Sequence, residues 1–164
     1  MRPSPYFALA AIALPTPALA QTGTVTLEIP KLSDSPYRKP YVAVWLENAS
    51  GKQVGVAGVL YDQAKIGLRW LPELRTWWRK AGRAMDMPAD GISMPTRGPG
   101  RNTIVLDDLK SLPNGRYSVV VEAAREKGGR ELVKVPFTLQ SGKAVQASAR
   151  GSRELGEVSV AIER

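Results

Sequence analysis

The chain has no cysteine and no histidine among its 164 residues. Without cysteine it forms no disulfide, no thiolate metal site and no thiol nucleophile. Without histidine it has no imidazole to ligate a metal or haem, and every Ser-His or Cys-His nucleophile pair is excluded. Most familiar hydrolase mechanisms are therefore closed to it. Acidic side chains are also in the minority, with 15 Asp and Glu against 23 Lys and Arg, for a formal charge of +8. What remains is an ordinary globular composition, 43% hydrophobic and 23% charged, which excludes collagen-like, coiled-coil and wholly disordered chains.

The first twenty residues read as a targeting segment. Arg2 charges a short leading stretch, residues 7–14 (FALAAIAL) form an apolar run too short to span a bilayer with ease, and Pro15 and Pro17 break it. Ala18-Leu19-Ala20 then offers a small-residue cleavage site, so the expected mature chain begins at Gln21. A single arginine gives no twin-arginine signal, and export to the periplasm by the general route is expected. A cysteine-free chain suits an oxidising compartment, because it cannot mispair there. Loss of Arg2 leaves 22 basic against 15 acidic residues, a charge of +7. In an exported protein that excess favours an anionic envelope surface, an acidic partner or a phosphate-bearing ligand over nucleic acid. No membrane span is expected in the mature chain.

The hydrophobic pattern is mostly that of strands. Gly23–Ile29 alternates Val25, Leu27 and Ile29 with polar neighbours, as a half-buried strand does. Residues 41–47 (YVAVWLE) are apolar on both faces, which predicts a central strand. A turn at 48–52 and a returning strand at 54–61 follow. Further strands are expected at 102–106, 116–124, 132–139 and 157–162, with Pro136 marking an edge or bulge and 140–153 a mobile Gly/Ser/Ala-rich stretch. The period changes over 70–81 (WLPELRTWWRKA), where Trp70, Leu71, Leu74, Trp77, Trp78 and Ala81 share one arc of a helix. That arc predicts Trp70 and Trp77 in the core and Trp78 at its edge. Residues 82–101 read as a long loop. The sum is an all-β, immunoglobulin-like antiparallel β-sandwich occupying 21–164, with one inserted amphipathic helix.

Three stretches taken together, YRKPYVAVWLENASGKQV (37–54), RWLPELRTWWR (69–79) and GRYSVVVEAAREKGG (115–129), resemble the periplasmic family named domain of unknown function 2271. The run Pro113-Asn114-Gly115-Arg116-Tyr117 also resembles the immunoglobulin-like repeat of flagellar hook-capping proteins. Both resemblances imply a β-sandwich and neither implies an enzyme. The first implies association with membrane redox proteins and periplasmic flavin transferases. It also implies a flavin-acceptor motif, Asp-x-x-Ser-Gly-Ala-Thr, in the loop after the tryptophan-rich helix. Here Asp90, Ser93 and Thr96 stand at the corresponding places, while Met94-Pro95 replaces Gly-Ala and Lys127 stands where a histidine is expected. Proline fixes φ and restricts its neighbour, which opposes the extended pose a transferase draws.

Three functions from different classes follow. The leading expectation is a non-catalytic accessory module of a membrane-linked redox system, with Arg75, Arg79, Arg97, Arg101 and Trp78 as its partner-binding surface. Arginine forks suit carboxylate or phosphate groups on such a partner. The second is an electron carrier with FMN esterified to Thr96, aided by Asp90 and Ser93. The third is a carbohydrate- or cell-wall-binding sandwich using Trp78. No catalytic residue and no metal site are expected.

Overall fold

The computed structural model describes residues 22–163 except Asp108, so the expected signal peptide and its cleavage site lie outside the described residues. Nine strands form two sheets. In chain order they are β1 (Gly23–Ile29), β2 (Tyr41–Asn48), β3 (Gln53–Tyr61), β4 (Ser93–Pro95), β5 (Gly100–Leu106), β6 (Gly115–Ala124), β7 (Arg130–Leu139), β8 (Val145–Arg150) and β9 (Glu157–Ile162). One sheet has the order β5-β1-β9-β8 and the other β4-β3-β2-β6-β7. The two pack face to face as an all-β sandwich.

Alternation along the central strands explains two separate cores. On β2, Val42, Val44 and Leu46 point into the space between the sheets, where they meet Val25, Leu27, Val119, Val121, Val158 and Val160. Ala43 and Trp45 point the other way. They join Val59, Tyr61, Val120, Leu71, Leu74 and Trp77 in a second core on the outer face of the five-stranded sheet. The two-faced apolar pattern of 41–47 is thus accounted for: both faces of this strand are covered, one by the other sheet and one by a helical segment.

That segment differs from the single helix expected over 70–81. A 3-10 helix covers Lys65–Glu73 and a six-residue α-helix, α1, covers Arg75–Lys80. Leu74 separates them at φ −75°, ψ 67°, outside helical space. Pro72 lies in the 3-10 portion and lacks the N–H that an uninterrupted α-helix would use. The 100° arc therefore does not run through 70–81. Trp77 is fully buried, but Trp70 is turned outward with 36% of its surface exposed, which corrects its expected place in the core.

Three further expectations are corrected. The stretch 140–153 contains strand β8, because Val145, Ala147 and Ala149 lay one apolar row on the inter-sheet core. The loop 82–101 contains a short 3-10 turn (Gly82–Ala84) and β4, and β5 begins at Gly100. The five-stranded sheet is not wholly antiparallel, since β4 pairs in parallel with β3, matching Val59 with Ser93 and Tyr61 with Pro95. Pro136 does lie on an edge strand, β7.

Gly82 follows α1 for a packing reason. A Cβ there would stand 2.5 Å from Cζ3 of Trp77, so the backbone passes directly over the buried indole. Gly82→Ala is expected to lower stability by about 2 kcal/mol, the usual cost of overpacking. Urea unfolding monitored by tryptophan fluorescence would check this; an unchanged midpoint would show that the turn shifts freely.

Candidate functional site

A cleft of about 640 Å³ opens between the loop 31–40, the 3-10 helix and the start of the β6–β7 connection. Tyr37, Tyr41, Trp70 and Ile66 supply its apolar wall, and Arg38, Lys39, Arg69, Asp62, Glu73 and Glu126 its polar rim. The 3-10 helix is seated by Gly67. A Cβ at that position would collide with the Asp62 carbonyl oxygen, and the Gly67 carbonyl accepts a 3.0 Å hydrogen bond from the Tyr41 hydroxyl. Leu71 then fills the second core, and Trp70 is left at the cleft. The Arg69 guanidinium sits over the Trp70 ring, 5.4 Å from its centroid, a cation–π contact.

The opposite wall is held by charge. Arg125 is nearly buried and makes a two-pronged contact with Glu154, at 2.8 and 3.0 Å, and another with Asp34. Hydrogen bonds to Glu154 raise its pKa above the ordinary arginine value against the opposing effect of burial, and Asp34 adds to the rise. The Arg125 guanidinium also lies 5.8 Å from the Tyr37 ring centroid. Arg38 pairs with Glu126 at 2.9 Å. Lys39 and Arg69 make no ion pair with a described residue, so the cleft presents two uncommitted cations beside an open aromatic face. Burial raises the pKa of Tyr41, with Asp62 adding to it, so this phenol stays protonated and donates.

Thr96 lines this cleft. Its hydroxyl donates to the Pro40 carbonyl at 2.7 Å, and its N–H to Tyr61 at 2.9 Å. Ser93 lies near Tyr61, where its hydroxyl accepts the Ala89 N–H at 2.8 Å. Asp90 is exposed at the turn before β4 and lines a different depression, with Val56 and Val105. The three residues that match the flavin-acceptor pattern therefore do not converge on one point.

The arginines separate in the same way. Arg75 and Arg79 are exposed on α1, with Arg75 3.8 Å from Glu73. Arg97 is exposed beyond β4. Arg101 belongs to β5 in the other sheet, 3.4 Å from Glu157. Trp78 is half-buried, 6.1 Å from the Trp77 ring. The open indole is that of Trp70, which periodicity alone assigned to the core. Pro72 was the available signal that the helix breaks before Trp70 can join the arc.

The sequence reading missed two buried carboxylates as anchors of α1. Glu122, on β6 and fully buried, accepts the N–H groups of Thr76 at 3.0 Å and Trp77 at 2.8 Å, and pairs with Arg130 at 2.5 Å. Glu47, on β2, accepts from Trp45 Nε1 at 3.0 Å, Lys80 at 2.9 Å and Lys134 at 2.7 Å. Burial would raise the Glu47 pKa, but the hydrogen bonds from Lys134, Lys80 and Trp45 outweigh it and hold the value at about 2. Among the described residues no three carboxylates gather as a metal site, and no helix is long and apolar enough to cross a membrane.

The sequence model of a family described as "Predicted periplasmic protein (DUF2271)" matches residues 22–157, which spans β1 to β8 and the whole cleft. No curated protein and no solved structure matches the chain.

The Glu47 contacts carry a pH signature. Because its folded pKa lies below the ordinary 4.5, the stabilisation is complete above the unfolded value and is lost as pH falls from about 4.5 towards 2. Glu47→Gln is expected to cost about 3 kcal/mol at pH 7, with the difference from the parent chain shrinking through that acid window. Denaturant unfolding at a series of pH values would measure it; a difference independent of pH would assign the loss to packing instead.

Proposed function

The chain belongs to this family of periplasmic proteins, and from that premise we propose that it is a non-catalytic accessory module of a membrane-linked redox system, working through the cleft. The carrying observation is Trp70, an open indole with Arg69 on its ring, at the mouth of a cleft that also holds the unpaired Lys39. Aromatic and arginine side chains of this kind anchor binding sites, because they combine apolar area with directed polar contacts. The redox association itself rests on the family resemblance of the tryptophan-rich segment and its flanking strands. Arg75 and Arg79 add exposed cations on α1, the element after the 3-10 helix, so an acidic or phosphate-bearing partner is the complementary class.

Two variants test this reading by capture of partners from the detergent-solubilised envelope. Trp70→Ala, and Arg69→Glu with Arg75→Glu, are each expected to reduce capture of the principal partner by roughly tenfold or more, as loss of a central anchor does. Full capture by both variants would remove the cleft as the working surface.

A second reading is favoured by one observation: Thr96 opens onto the same cleft as Trp70, Tyr41 and Arg69. An FMN phosphodiester at its hydroxyl would place the flavin among aromatic side chains and leave the phosphate near cations. The Thr96 hydroxyl would first have to leave the Pro40 carbonyl. Intact mass of protein purified from the periplasm separates the two readings. The accessory reading expects an unmodified chain. A gain equal to one FMN phosphodiester, mapped to the Thr96 peptide and absent in Thr96→Ala, would make the protein a flavin carrier.

A further inference from the structure

From residues at the mouth of the same cleft, we propose that the chain docks on an anionic lipid surface through the 3-10 helix and the outer side of α1. Among the described residues three large apolar side chains are exposed: Ile66 at 61%, Trp70 at 36% and Val105 at 49%. Two of the three lie on one nine-residue segment, four positions apart. Val105 is elsewhere, on β5 in the other sheet. Exposed apolar residues scattered singly are ordinary, but Ile66 and Trp70 open on the same cleft.

Along 65–80 the charge is mostly positive, while Asp62 and Glu126 also stand in the cleft beside the pair. Lys65, Arg69, Arg75 and Arg79 are all exposed along the two helical pieces, with Glu73 as the one exposed carboxylate of that stretch. The remaining cation, Lys80, is turned inward to Glu47 and the Gly51 carbonyl. Exposed cations on the same two helical pieces as an open isoleucine and tryptophan, with Arg69 on the indole itself, fit the pattern of an interfacial anchor. The indole seats at the headgroup level, the isoleucine enters the acyl boundary, and long basic side chains reach back to lipid phosphates. An acidic protein partner would satisfy the cations but would need an apolar recess to cover Ile66. A bilayer covers it without shape matching. The excess of basic over acidic residues, +7 without Arg2, steers the chain towards an anionic leaflet, and the family's periplasmic setting puts lipid surfaces within reach.

Vesicle co-sedimentation of protein purified from the periplasm tests this, with no redox partner or detergent present. Vesicles of equal parts phosphatidylglycerol and phosphatidylcholine are expected to bind the chain at low salt at least roughly tenfold more tightly than phosphatidylcholine alone, with binding weakened by added salt. Ile66→Ser with Trp70→Ser is expected to lose most of that binding while melting at the parent temperature. Tryptophan emission should shift to the blue on binding, and this shift should disappear in Trp70→Phe. Two controls guard against adsorption by charge alone. Val105→Ser should bind normally. Arg116→Gln with Lys143→Gln and Arg150→Gln removes as many charges elsewhere and should bind better than Arg69→Gln with Arg75→Gln and Arg79→Gln. The proposal is overturned if phosphatidylglycerol vesicles fail to bind, if the Ile66/Trp70 variant binds like the parent, or if the two charge variants weaken binding equally. Partner capture in detergent contains no bilayer, so failure there would count against the cleft and not against the lipid contact.

Discussion

The carboxylate of Glu122 is the constraint on which the outer half of the molecule depends. A six-residue helix has almost no stability of its own, since most of its N–H groups lie in the unbonded first turn. Neither end of α1 carries a side-chain cap from its own segment, and no acidic residue stands in its first turn. The missing acceptor comes from the sheet. Glu122 sits on β6 at the register opposite Ala43 and Leu132, on the face turned towards the helix. From there it takes the N–H groups of Thr76 and Trp77 while Arg130, on the neighbouring strand, neutralises it. A charge buried this deeply is tolerable only because its acceptor sites are filled and paired.

The other end of α1 is held by the same device with the sign of the partner reversed. Lys80, in the last turn, reaches the buried carboxylate of Glu47 and the Gly51 carbonyl of the β2–β3 turn. A carboxylate at the N-terminal end and an ammonium at the C-terminal end both agree with the helix dipole. Clamped at two points on one sheet face, α1 drives Trp77 into the second core and brings Gly82 against its ring. The 3-10 helix before it must then reach the same face with Leu71 while Leu74 turns the chain. That geometry, rather than any preference of tryptophan, leaves Trp70 outside.

This separates what was legible in the sequence from what was not. The two faces of β2 could be read from strict alternation, because a strand's period leaves no other arrangement for Val42, Val44 and Leu46 against Ala43 and Trp45. The turn at Gly51, which adopts φ +75°, could be read from its residue types. Strand β8 was obscured by small residues, because alanine and serine carry little periodic contrast until the neighbouring strand β9 is known. Trp70 was misplaced because a 100° period was applied across Pro72 and Leu74, where the backbone does not keep it. A cross-strand ion pair of Glu122 with Arg130 or Lys134 could be read from the strand pattern, and the structure has the Arg130 pair; that Glu122 and Glu47 hold α1 could not, because each reaches it across more than thirty residues of chain. The motif residues Asp90, Ser93 and Thr96 stand in one register by spacing, but only Ser93 lies on β4, with Asp90 in the turn before it and Thr96 just beyond it, so their surroundings differ.

The cleft is the joint product of these long-range contacts. One wall exists because α1 is pinned and the 3-10 helix must follow it. The other exists because Arg125, at the end of β6, ties Asp34 in the loop after β1 to Glu154 in the turn before β9. Glu154 also accepts the Gly129 N–H, and Glu131 accepts the N–H groups of residues 152–155. Burial opposes ionisation of Glu131, but those donors lower its pKa below the ordinary carboxylate value, so it remains an acceptor at neutral pH. These carboxylates are already engaged by the fold. Among the described residues Arg69 and Lys39 remain without an ion-pair partner, while Trp70 stays 36% exposed beneath the Arg69 guanidinium. Those two cations draw anions to the cleft even with the Asp62 and Glu73 carboxylates on its rim, and the open indole beside them supplies an apolar contact.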